Sequence, residues 1–106
     1  MVQQELLQAI KQRLAEHYGE RLKGVILYGS EARGEAGEDS DVDLLVLLVG
    51  PVETWTEIRV IAALICPLQL EREFYRHLSA IPVDEDEYRA QTDRLWRSAQ
   101  AEGITL

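Results

Sequence analysis

The sequence predicts an α/β chain of the α+β kind, a small mixed sheet of three to four strands flanked by helices. Two observations carry most of that expectation. Apolar residues recur at three- and four-residue steps over 5–18, 58–68 and 88–99, the period of helices with one buried face. Two short apolar runs, GVILYG at 24–29 between glycines and VDLLVLLV at 42–49 ended by Gly50-Pro51, read as buried strands. A third observation is the polar, glycine-punctuated stretch SEARGEAGEDS at 30–40, which separates the two runs.

The elements follow in order. Leu6, Leu7, Ile10, Leu14 and Tyr18 make the stripe of a first helix over 5–18, and Gly19 is a natural stop. Gly24 to Gly29 reads as a buried strand. Residues 42–49 form the most apolar segment, a strand covered on both faces, which Gly50-Pro51 ends. Thr54 and Glu57 have capping-box spacing. Behind them Ile58, Ile61, Ala62, Ile65 and Leu68 line a central helix, which Pro67 is expected to kink or shorten. RHLSAIPV at 76–83 reads as a third strand, with Pro82 marking an edge or an end. Asp84 and Glu87 repeat the capping spacing. Tyr88, Thr92, Leu95, Trp96 and Ala99 then line a last helix, ended by Gly103. Cys66, Trp55 and Trp96 read as packing residues, with an interface role as the alternative for the tryptophans.

The chain's 106 residues suit one domain, 1–106. Apolar residues are 46% and charged residues 28%, a folded rather than disordered balance. No apolar run spans a bilayer, and MVQQELLQAI lacks the form of a signal peptide. One cysteine excludes an internal disulfide and any cysteine-based zinc cluster. A reducing cytoplasm is the expected setting. Nineteen acids against eleven bases leave a net charge of −8. That balance argues against direct nucleic-acid binding or an anionic membrane. It permits a nucleotide triphosphate held through divalent metal, and it favours a basic protein partner.

The chemistry concentrates in 28–46. Gly29-Ser30 follows a buried strand, where free backbone N–H groups, a hydroxyl and the lack of a Cβ would cradle phosphates. Arg33 lies one helical turn on and offers a charged fork to the same phosphates. Asp41 and Asp43 stand at i and i+2 at the mouth of the next strand, on one face, with Cα atoms ~7 Å apart. Two carboxylates so placed can share one or two Mg²⁺ ions. Val42 and Leu44 then point into the core. If Ser30 and Asp41 address one nucleotide, the two strands are antiparallel where adjacent. EDSDVD also has some likeness to a calcium loop, but it lacks the central glycine and the distal glutamate.

Gly29-Ser30, ten residues, then Asp41-x-Asp43 resembles the signature of the minimal nucleotidyltransferases, relatives of DNA polymerase β. The fuller string GSEARG…SDVDLLV is similar to the antitoxin branch of that family. The resemblance implies the nucleotidyltransferase fold and a role for each matching position. Gly29 and Ser30 would hold the β- and γ-phosphates and Arg33 would assist them. Asp41 and Asp43 would hold Mg²⁺, two ions in all, and Ser40 would orient the first carboxylate. The implied reaction moves AMP from ATP to an acceptor hydroxyl. The implied partner is a helical HEPN-type toxin bearing an acceptor tyrosine, with a homodimer as a further arrangement. Active relatives usually carry a third carboxylate on the third strand. Here that strand reads His77-Leu78-Ser79-Ala80-Ile81, without an acid, and His77 is expected at the acid's position, where it could serve as a base. The missing acid supports an alternative, a binding module that neutralises its partner by occlusion. Transfer to a small molecule is a third reading, for which the short chain offers no acceptor domain.

Overall fold

A computed structural model gives the fold. It describes residues 4–29, 41–74, 77–90 and 94–106, the side chains at 94–96 and 98 excepted. Ser30, Arg33 and Ser40 lie outside the described residues, as do Thr92 and the side chains of Leu95 and Trp96.

Helix α1 spans Gln4–Tyr18 and buries Leu6, Leu7, Ile10 and Leu14, the expected stripe. Gly19, with φ +58°, turns the chain out of the helix into a 3₁₀ turn at Gly19–Arg21. Strand β1 is Leu22–Tyr28 and β2 is Val42–Leu48. Helix α2 is Thr54–Glu71, β3 is Leu78–Asp84, α3 is Glu85–Ala90, α4 is Arg94–Glu102 and β4 is Ile104–Thr105. The sheet order is β3-β2-β1-β4. β1 runs antiparallel to β2 and to β4, whereas β2 and β3 are parallel, joined by α2 as the crossover. The sheet is therefore mixed and flanked by helices.

Both faces of β2 are covered, which explains its unbroken apolar run. Alternate residues Val42, Leu44, Val46 and Leu48 join Val25 and Leu27 under α1 and α2. Leu45 and Leu47 turn the other way and pack with Ile26, Val83, Tyr88 and Ala99. No helix among the described residues is long and apolar enough to cross a membrane.

Several local expectations are corrected. Glu53, not Thr54, caps α2, its carboxylate accepting from the Thr56 N–H at 2.6 Å. Glu57 is thereby free for another task. It is buried and accepts from Arg21 Nη1 at 2.6 Å and the Tyr18 hydroxyl at 3.0 Å. Burial and the bond to Glu57 raise the Tyr18 hydroxyl well above its ordinary pKa. Pro67 does not shorten α2, which continues to Glu71. The buried row of α2 is Glu57, Ile61 and Ile65. Ile58, Ala62 and Cys66 form the neighbouring row, so Ala62 and Cys66 are exposed rather than core. Trp55, in the first turn of α2, is 70% exposed and so is not part of the core. The last helical stretch divides into α3 and α4. Gly103 ends α4 as expected, but β4 follows it and pairs with β1 at Ile26 and Leu27, a strand that two residues cannot announce in a sequence.

Gly103 makes that last pairing possible. A Cβ there would press into the Ala99 carbonyl oxygen, which is backbone, and would stand 2.6 Å from Ile26 Cγ2. Gly103→Ala is expected to lower folding stability by about 1–3 kcal/mol through overpacking, read as a drop in urea midpoint without a change in slope.

Candidate active site

The antiparallel register between β1 and β2 brings the two ends of the motif together. Tyr28, the last residue of β1, stands opposite Asp43, the second residue of β2. Gly29 then leaves the strand with φ +75°, a conformation open to glycine at little cost. A Cβ at Gly29 would lie 3.0 Å from Asp43 Oδ2 and 3.9 Å from its Cγ. The glycine backbone and the second carboxylate are thus in direct juxtaposition. On the other side of β2 the parallel register sets Ser79 beside Asp43 and Leu78 beside Val42. The Val42 N–H donates to the His77 carbonyl at 2.9 Å, which fixes His77 one step ahead of β3, on the rung of Asp41.

Asp41 is exposed and Asp43 is partly buried. Burial raises the Asp43 carboxyl above the usual carboxylate range, the Asp41 charge raises it further, and His77 lowers it. Burial and the nearby Asp43 likewise raise the Tyr28 phenol. Asp43 thus meets a like charge at the mouth of a rigid strand, with Val42 and Leu44 anchored in the core on either side of it.

The donor set fits Mg²⁺. Two carboxylates supply hard oxygen ligands. A divalent cation would relieve the repulsion between them, and a pair leaves positions for phosphate oxygens and water. Among the described residues no group of three or more histidine, cysteine, aspartate or glutamate side chains converges on one point.

Of the residues expected at the site, the structure brings together Gly29, Asp41, Asp43 and His77. His77 stands on the rung of Asp41, and the rung beside Asp43 belongs to Ser79, two residues further along. Sequence reasoning missed Ser79 and Tyr28. The signal for Tyr28 was its place directly before Gly29. The place of Ser79 depends on a parallel register that no local pattern encodes.

Gly29→Ala tests the juxtaposition. A left-handed φ costs a residue with a Cβ about 1–2 kcal/mol, and the new methyl group would crowd Asp43. The expected result is a modest fall in melting temperature and a fall of at least about tenfold in Mg²⁺-dependent ATP affinity, or ~1.4 kcal/mol, measured by calorimetry.

Comparison with known proteins agrees with this fold. The adenylyltransferase MntA of Thermococcus cleftensis, named as a protein adenylyltransferase, is 54% identical over 43 residues. That stretch spans 41% of this chain and 41% of the relative, less than half of either. Three solved structures share the fold. A candidate minimal nucleotidyltransferase has a TM-score of 0.58 at 27% identity, covering 95% of each chain. A candidate nucleotidyltransferase from Sulfolobus solfataricus has a TM-score of 0.60 at 20% identity, covering 95% of this chain and 76% of that one. A structure of a toxin-antitoxin with AMP-PNP has a TM-score of 0.61 at 17% identity, covering 91% of this chain and 68% of that one. Residues 7–98 match the nucleotidyltransferase domain family. With that match spanning most of its length, the chain belongs to the nucleotidyltransferase domain family.

Proposed function

We infer that the chain is an adenylyltransferase, moving AMP from ATP to a hydroxyl on a protein partner. The observation that carries this reading is the close approach of the Gly29 backbone to the Asp43 carboxylate, which puts the glycine turn beside the paired carboxylates. The name of the Thermococcus relative favours AMP as the group transferred. The motif's likeness to the antitoxin branch favours a helical HEPN-type toxin as partner and a tyrosine as acceptor, in the cytoplasm.

Each residue has a part. Gly29 admits the phosphates to the backbone, and by the motif's resemblance Ser30 and Arg33 would assist in holding them and Ser40 would orient the first carboxylate. Asp41 and Asp43 hold Mg²⁺, which when bound neutralises phosphate charge and the leaving pyrophosphate. The acceptor oxygen forms a bond to the α-phosphorus as the bond from that phosphorus to the pyrophosphate oxygen breaks. His77, exposed beside Asp41, takes the hydroxyl proton.

A second reading is favoured by one observation. The third strand carries no acid from His77 to Val83, and the residue it sets beside Asp43 is Ser79. A fold kept for occlusion would explain that. Incubation with labelled ATP, Mg²⁺ and a candidate partner separates the two. Transfer predicts a mass gain of one AMP on the partner. A stable complex that neutralises the partner with no mass gain would support occlusion instead.

A further inference from the structure

β3 is the last strand of the sheet, and no described strand pairs with its outer edge. The bond from Val42 to the His77 carbonyl fixes the phase of the parallel ladder. His77, Ser79 and Ile81 turn their backbone groups toward β2, and Leu78, Ala80 and Pro82 turn theirs outward. Pro82 thus sits where its missing N–H costs the sheet nothing, and it blocks pairing beyond Ile81. No described strand takes the outward groups of Leu78 and Ala80. Beside them the row of α2 formed by half-buried Ile58 and exposed Ala62 and Cys66 walls an apolar groove of about 310 Å³. One end of the groove reaches His77 and Ser79, on the rungs of Asp41 and Asp43. The other end passes Ile81 and Pro82 to a hollow lined by Asp84 and Glu87. An apolar trough along an edge that no described strand pairs, with Asp84 and Glu87 beyond one end and a net charge of −8 on the chain, calls for an extended peptide with basic flanks.

We propose that this edge docks an extended segment of a basic protein partner, which adds to the sheet as a further strand beside β3. Alternate side chains pack on Ile58, Ala62 and Cys66. Those between them share the face of Ser79 and Asp43. A residue beside Ser79 lies two strand spacings, ~10 Å, from Asp43. A long side chain crosses that gap, which delivers the acceptor hydroxyl to the acids. The hydroxyl's role rests on the transferase reading, whereas the docking does not.

The test pans a phage-displayed library of random peptides against the chain, then titrates synthetic copies of the enriched peptides without ATP or Mg²⁺. The enriched peptides are expected to alternate apolar residues between basic flanks and to protect the Leu78 and Ala80 amides from exchange. Ala80→Pro removes an outward N–H and no bond to β2, and Ala62→Arg fills the groove from α2. Each is expected to weaken binding at least about tenfold, ~1.4 kcal/mol. If Ala80→Pro fails to fold, Ala62→Arg carries the comparison. Peptides that bind both variants normally, that bind as helices, or that fail to enrich overturn the proposal. So does a wild-type dimer that Ala80→Pro or Ala62→Arg dissolves, because the edge then serves a second copy. Peptide binding with no ATP binding would sink the transferase reading alone, and the converse would sink the docking site alone.

Discussion

Asp43→Asn is expected to reduce AMP transfer at least about 10³-fold, several kcal/mol of transition-state stabilisation, and to raise the melting temperature of the metal-free protein. The two effects have one cause. Asp43 is partly buried beside Asp41, and both burial and that neighbour raise its pKa above the unfolded value. Between the two pKa values the folded chain holds more protons than the unfolded chain. Stability therefore falls as pH rises through that window, and at neutral pH the ionised carboxylate is a net cost. Asparagine keeps the shape and removes the charge. It also removes a Mg²⁺ ligand, so excess Mg²⁺ should raise the melting temperature of the wild type and not of the variant. Thermal melts at pH 7 with and without Mg²⁺, beside a transfer assay, check both halves. Full transfer by the variant would contradict the role given to Asp43.

Arg21→Ala is expected to lower folding stability by about 3 kcal/mol, the low end of the cost of orphaning a buried ion pair, because Arg21 is itself part-exposed. Its guanidinium holds three segments at once. Nη1 donates to Glu57 at 2.6 Å, Nε to the Val49 carbonyl at 2.9 Å and Nη2 to the Pro51 carbonyl at 3.0 Å. The clamp ties the start of β1 to the exit of β2 and the first turn of α2. Its loss leaves the Glu57 carboxylate buried with, among the described residues, the Tyr18 hydroxyl as its side-chain donor. Replacing both charges, Arg21→Met with Glu57→Leu, should recover most of the loss. The clamp lies at the end of β2 remote from Asp43, so transfer well below the melting point should be unchanged in Arg21→Ala. Urea unfolding of the single and double variants reads the coupling directly.

Much of this was legible in the chain. The stripe Leu6, Leu7, Ile10 and Leu14, the run at 42–48 and the alternation of Val42, Asp43 and Leu44 each state a local periodicity. The antiparallel pairing of β1 with β2 followed from asking one nucleotide to meet both ends of the motif. What escaped was non-local. Cys66 reads as core by composition, but its exposure depends on which row of α2 meets the sheet. Glu57 reads as a cap because of its spacing, yet an arginine 36 residues earlier claims it. β4 and the rung of Ser79 exist only by pairing with distant strands. The sequence shows no acid over 77–83 but does not show which residue of that strand stands beside Asp43.

The most direct test is a calorimetric titration of the chain with ATP, with and without Mg²⁺, beside the double variant Asp41→Asn/Asp43→Asn. Mg²⁺-dependent binding that disappears in the double variant is the predicted result. ATP binding of equal strength in both proteins, or none in the wild type alone and with its partner, would contradict a nucleotide site at these aspartates.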